Sequence, residues 1–313
     1  MALDEATLGF LAQMAQGGGK PLEEMTPAEA RGLGPMLAEL SGPGPEMASA
    51  EIHAIPVADG TTITGRLLVP PGPVRGLVVY LHGGGWVIGS IAEVDTLGRE
   101  LAARTSAAVL LVEYRLAPEH PFPTPVEDAW SALRWADEHA EELLGARLPL
   151  IVAGDSAGGN LAAVIAQRAR HGGPELALQV LVYPVIAADF DTATYTDPAN
   201  AAVLTREGMM WFWDHYAPDP ETRALPTASP GAEPDLAGQA PAVVVLAEHD
   251  VLRGEGEAYA DRLRAAGVPV ALRVFAGQMH MFFTLVNVLP GSEAGLAYVA
   301  EEISAALTPS SAP

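Results

Sequence analysis

The residues best suited to chemistry are Gly154-Asp155-Ser156-Ala157-Gly158. A serine between glycines works as a nucleophile when it stands on a sharp strand-to-helix turn, because the turn exposes Oγ and the small neighbours let strand and helix pass closely. The context fits, since the apolar run 148–153 reads as a strand and 159–170 as a helix. The N-terminus of that helix would offer N–H groups and a positive dipole end to a developing oxyanion. A glycine-rich turn carrying an incidental serine would look the same in isolation, so partners decide the reading. One partner is His82-Gly83-Gly84-Gly85-Trp86, just past the apolar run 76–81. Bare glycine backbone can approach a substrate oxygen and donate N–H groups to it. The other partners are a base and an acid that orients it, which follow the serine in the order Asp, His in this kind of sheet. Asp250 sits just beyond the run 242–247, and His280 beyond the run 268–275 and Gly277. Among rival histidines, His82 reads as a brace for the glycine loop, His249 as pointing to the opposite side of the strand end from Asp250, and His139 and His171 as lying in or just after helices that read as surface. Glu248 sits closer to the strand and Asp261 within a helix, so Asp250 is the expected partner of His280.

Such residues need elements to hold them. Apolar runs at 76–81, 107–112, 148–153, 178–183, 242–246 and 268–274 alternate with amphipathic patterns at 126–144, 160–170, 255–266 and 292–307. Buried strands alternating with helices imply an α/β fold with a mostly parallel sheet covered on both faces. The alternating runs 51–57 and 61–69 read as an antiparallel hairpin. Residues 1–45 read as helices, with a capping box at Thr26-Pro27-Ala28-Glu29. Residues 187–230 interrupt the rhythm with Met209, Met210, Trp211, Phe212, Trp213 and Tyr216, a helix expected to be contacted all round. The expected division is N-terminal cap helices over 1–45, a first core segment over 46–186, a cap insertion over 187–230, and a second core segment over 231–313.

Composition excludes other classes. The 313 residues include no cysteine, so disulfides, thiolate nucleophiles and cysteine-bound metals are out. A net charge of −22 disfavours nucleic acid and anionic membrane surfaces as partners. The first residues carry Asp4 and Glu5 and no basic n-region, and no stretch is long and apolar enough to span a bilayer, so a cytoplasmic location is expected. Gly17-Gly18-Gly19-Lys20 lacks phosphate-loop spacing, no zinc motif is present, and no dinucleotide fingerprint follows a strand. No metal or cofactor is expected.

The glycine loop, Tyr114-Arg115-Leu116-Ala117-Pro118-Glu119-His120-Pro121-Phe122-Pro123, the serine turn through Gly159-Asn160, Asp250-Val251-Leu252-Arg253 and Gly277-Gln278-Met279-His280-Met281-Phe282 occur in one order. Together they resemble the hormone-sensitive-lipase-like (bacterial family IV) carboxylesterases of the α/β-hydrolase superfamily, over about residues 50–305. The resemblance implies a Ser156-His280-Asp250 triad and an oxyanion hole built from the N–H groups of Gly83, Gly84 and Ala157. It further implies an Asp155 that braces the site, a helical cap, and hydrolysis of short- to medium-chain esters through an acyl-enzyme. Trp86, Met209, Trp213 and Met281, with Asp155 beside the nucleophile, are the expected substrate contacts. A homodimer through a late strand or helix is a further expectation. The chain departs from the family where Val251 follows Asp250 and Gly254 replaces an acid. An amidase or deacetylase on the same residues is the competing reading. A non-catalytic receptor is a weaker one, because His280 is present.

Overall fold

The computed structural model describes residues 2–308; Met1 and residues 309–313, the end of the expected second core segment, lie outside the described residues. Strands β1 (Ser49–Pro56), β2 (Thr62–Val69), β3 (Leu77–Leu81), β4 (Ala108–Glu113), β5 (Leu150–Asp155), β6 (Leu176–Val182), β7 (Ala242–His249) and β8 (Val270–Met279) form one eight-stranded sheet in the order β1-β2-β4-β3-β5-β6-β7-β8. β2 runs antiparallel to β1 and β4, and all other pairs are parallel. β3 and β5 are buried along their whole length, as aliphatic strands covered on both faces must be. β1, at the sheet edge, is mostly exposed.

The helices are α1 (Glu5–Gln16), α2 (Pro27–Arg31), α3 (Gly34–Ser41), α4 (Asp95–Thr105), α5 (Thr124–Leu144), α6 (Ala157–Ala169), α7 (Ala193–Thr196), α8 (Arg206–Tyr216), α9 (Pro220–Arg223), α10 (Arg253–Ala265) and α11 (Pro290–Ala306). The capping box forms at α2: Glu29 N–H donates to Thr26 Oγ1, and the Glu29 carboxylate accepts from Thr26 N–H. Among the described residues, no helix is long and apolar enough to cross a membrane.

Two elements differ from the sequence reading. α4 has no counterpart among the helical patterns read from the sequence, because its apolar positions are sparse and Gly98 interrupts them. Topology nevertheless demands a crossover there, since β3 and β4 are parallel neighbours. α8 is amphipathic and not apolar all round: Met209, Phe212, Trp213 and Tyr216 are buried at helical spacing, whereas Met210 is exposed.

Register gathers the chemistry at one edge. Leu81 pairs with Gly154, Asp155 with Val182, Val182 with Val245, and His249 with Met279. His82, Ser156, Tyr183, Asp250 and His280 are therefore each the first residue past the C-terminal end of β3, β5, β6, β7 and β8. That is the crevice where open α/β sheets carry their sites.

Candidate active site

Ser156 joins β5 to α6 with φ 55° and ψ −117°. A serine in this positive-φ region is strained and persists only where its surroundings over-determine it. They do so here. Ser156 N–H donates to the Val182 carbonyl (2.8 Å), and its own carbonyl accepts from Asn160 (2.9 Å) and Val185 (3.2 Å). A methyl group at Gly158 would strike the Leu81 and His82 carbonyls, and one at Gly154 the Gly158 carbonyl. Only glycine lets β5, β3 and α6 approach this closely.

Opposite the hydroxyl, His280 Nε2 lies 3.1 Å from Ser156 Oγ, and Nδ1 lies 2.7 Å from Asp250 Oδ2. Asp250 is fully buried, and its other oxygen accepts the Leu252 N–H at 3.0 Å. A carboxylate at Nδ1 requires a proton there, which leaves the lone pair of neutral imidazole on Nε2, facing the hydroxyl. The Tyr183 ring packs 4.5 Å from the His280 ring, centroid to centroid. The rivals lie elsewhere. His249 turns its Nδ1 to the Ala199 carbonyl (3.2 Å), Glu248 accepts the Gly277 N–H (2.7 Å), and Asp261 pairs with Arg264. His139 stacks on Trp135, and His171 meets Arg170.

His82 supports the glycine loop from beneath. Its ring stacks on Tyr114 at 4.4 Å, and its Nδ1 donates to the Gly83 carbonyl at 2.7 Å. Burial lowers its pKa to about 4, so it is neutral at pH 7 and exerts no charge on the site.

The glycine loop corrects one expectation. The Gly83 N–H is not free for an oxyanion, because it donates to Asp155 Oδ1 at 3.1 Å. Among the described residues, the N–H groups of Gly84 and Gly85 have no acceptor. Gly84 (φ 107°) and Gly85 (φ 57°) hold backbone that other residues resist. Ala157 is the first residue of α6, where N–H groups lack helical acceptors. Asp155 likewise differs from a substrate contact. Its carboxylate accepts Tyr80 Oη (2.8 Å) as well as Gly83 N–H, and burial raises its pKa to about 6. It ties the glycine loop to the Ser156 turn.

Trp86, Met209 and Trp213, expected as substrate contacts, are buried. Trp86, itself at φ 61°, stacks on Tyr216 (centroids 4.1 Å, planes 7° apart) and meets Trp213 at 4.8 Å. They plug the space between the glycine loop and α8. Met281 is half-buried beside His280, in left-handed backbone at φ 73°.

Elements from residues 1–45 and 187–230 reach this edge through specific bonds. Arg31 of α2 donates to the carbonyls of Val87 and Ala117, each at 2.8 Å, and pairs with Glu119. Asp4, the N-cap of α1, donates its N–H to the Gly277 carbonyl (3.0 Å) and accepts from Gln278 Nε2 (2.5 Å). The ring of Phe212 occupies the place a side chain at Gly85 would take. Gly254 is explained similarly, since Thr194 of α7 packs where a Cβ would sit and its hydroxyl donates to the Val251 carbonyl (2.8 Å). None of these contacts was legible in the sequence, because each joins segments distant along the chain.

Residues 78–284 match the α/β-hydrolase-fold family Abhydrolase_3. The chain belongs to this family, within its hormone-sensitive-lipase-like branch. Members with a similar sequence include carboxylesterase NlhH of Mycobacterium tuberculosis, 43% identical over 242 residues that cover 75% of this chain and 76% of that protein. Ethyl acetate hydrolase of Pseudomonas putida is 38% identical over 252 residues, covering 78% and 79%. The structure of a hyperthermophilic esterase from Pyrobaculum calidifontis superposes with a TM-score of 0.91 at 34% identity, covering 98% of this chain and all of that one (100%).

Proposed function

We propose that the protein is a carboxylesterase acting on short- to medium-chain esters through a Ser156 acyl-enzyme. The observation that carries this is the continuous line from Asp250 through His280 to Ser156 Oγ, at 2.7 and 3.1 Å, on a strained turn. The names of the similar esterases support it.

In this reading His280 Nε2 takes the Ser156 proton as Oγ attacks the ester carbonyl. Asp250 holds the Nδ1–H and stabilises the imidazolium that forms. The N–H groups of Gly84, Gly85 and Ala157 receive the oxyanion, each worth roughly 3–4 kcal/mol in the transition state. His280 then passes its proton to the leaving alkoxide. Water, activated by the same imidazole, releases the acid. Residues 1–45 and 187–230 act as a cap over the crevice. The resemblance to the family favours butyrate to octanoate over long chains.

The test is a chain-length series of p-nitrophenyl esters with purified protein. A kcat/KM maximum between butyrate and octanoate is expected. A maximum on palmitate would contradict the substrate range, and anilide turnover exceeding ester turnover would favour an amidase.

A further inference from the structure

The segment that follows β6 touches two members of the proposed triad, Ser156 and His280. The Val185 N–H donates to the Ser156 carbonyl, and the Tyr183 ring packs on His280. At its end, the Ile186 N–H donates to Oε1 of Glu255 at 2.8 Å. Glu255 lies in the first turn of α10, which begins directly after the Asp250 turn. The segment is otherwise secured by Asn160, whose side chain donates to the Val185 carbonyl (2.9 Å), and by the Gly231 N–H, which donates to the Ile186 carbonyl (3.0 Å). The Tyr183 N–H donates to the Val245 carbonyl of β7 (2.6 Å), and beyond that backbone bond the Glu255 side chain joins the turn after Asp250 to the Ser156 side.

A carboxyl group is a costly choice for such a tie. Glu255 is only 8% exposed, and among the described residues no cation pairs with it. It borders a cavity of about 440 Å³ together with Asp189, Thr194, Gly254, Tyr259 and Arg262. The Arg262 guanidinium is spent on the Gly231 and Glu233 carbonyls, and Tyr259 Oη accepts from Gln167. The remaining neighbours that bear on its charge, Asp250, Asp189 and Tyr195, are acidic or phenolic. An uncompensated buried carboxyl persists at a cost that must be offset by what it holds.

We propose that Glu255 is a positioning residue, whose carboxyl locks α10 and the Asp250 turn to segment 183–186 and so sets the spacing of Asp250, His280 and Ser156. This rests on the esterase reading of the same site. Burial, joined by the Asp250 and Asp189 carboxylates, pushes the Glu255 pKa well above the ordinary carboxylate range. That shift favours the uncharged acid, and ionisation would add a negative charge near Asp250 and Asp189.

Glu255→Met and Glu255→Gln are compared with wild type on p-nitrophenyl butyrate across pH, with folding checked by circular dichroism. Methionine removes the acceptor, and kcat is expected to fall about tenfold or more with KM changed less than about twofold, because misplaced groups cost turnover before binding. Glutamine keeps an oxygen for Ile186 but cannot ionise. It is expected to recover most of kcat and to move the alkaline limb of the kcat profile to higher pH. A folded methionine variant with wild-type kcat overturns the proposal, as does a glutamine variant as impaired as methionine. If the methionine variant does not fold, the glutamine profile decides: an upward shift supports the tie, and superposition on wild type overturns it. A wild type inactive on all esters would refute the esterase reading itself, which is a separate result.

Discussion

At Ser156 the backbone is held at positive φ by partners on both sides, and the hydroxyl faces an imidazole of defined tautomer. Ser156→Ala is expected to lower kcat by at least about 10⁴-fold with little change in fold, because triad members act as a unit. Steady-state kinetics on p-nitrophenyl butyrate measure it. Asp155 carries a prediction of its own. Its folded pKa of about 6 lies above its ordinary 3.8, so folded protein holds this proton more tightly than unfolded chain. Its contribution to stability is therefore fullest below about pH 4 and is lost as pH rises through about 6, by about 3 kcal/mol in total. Urea unfolding of wild type and Asp155→Asn at pH 4 and pH 7.5 would show wild type losing ground to the variant as pH rises; an unchanged difference would contradict the shift. The places of Ser156, Asp250 and His280 were readable in the sequence because each lies shortly after an apolar run, and the structure puts each one directly past a strand end. Which of three adjacent glycines keeps a free N–H was not readable. That depends on loop dihedrals and on an Asp155 oxygen brought in from β5.

At the scale of elements, the glycine loop is gripped from two sides. Arg31 takes the Val87 and Ala117 carbonyls, whereas its ion pair with Glu119 is largely exposed. Arg31→Ala should therefore cost about 2 kcal/mol through the lost charged hydrogen bonds, and Glu119→Gln less than about 0.5 kcal/mol. Thermal or urea unfolding separates the two; equal losses would show that the ion pair is what matters. On the other side, α8 presses Phe212 onto Gly85. Gly85→Ala should destabilise by about 3 kcal/mol, from strain at positive φ and overpacking together. Adding Phe212→Ala should relieve part of that, giving a double-mutant loss smaller than the sum of the singles. A strictly additive cycle would mean the ring and the glycine do not meet. The sheet and most helices were legible because their periodicities are strong. α4 was hidden because packing on β4 and α11, more than its own pattern, makes it a helix. The true character of α8 was hidden because aromatic residues mark burial without saying which face is buried.

For the molecule as a whole, the charge of −22 is spread over a surface with few compensating cations. Most ion pairs present use arginine, and many are half-exposed, so they offset little of the mutual repulsion. Raising sodium chloride from roughly 10 to 500 mM should screen that repulsion and raise Tm by a few degrees. A flat or falling Tm in a salt series would contradict it. The same surface leaves the strand-end crevice as the feature where charge, strain and buried polar groups converge, as the fold requires.

The central claim is that Ser156 is a nucleophile activated by His280. Its most direct test is incubation with a p-nitrophenyl alkylphosphonate, followed by intact mass measurement and peptide mapping. Wild type is expected to gain a single phosphonyl group located on Ser156, with stoichiometric release of p-nitrophenol, while Ser156→Ala and His280→Ala gain none or gain it far more slowly. An unmodified wild type, or an adduct that maps to another residue, would contradict the account.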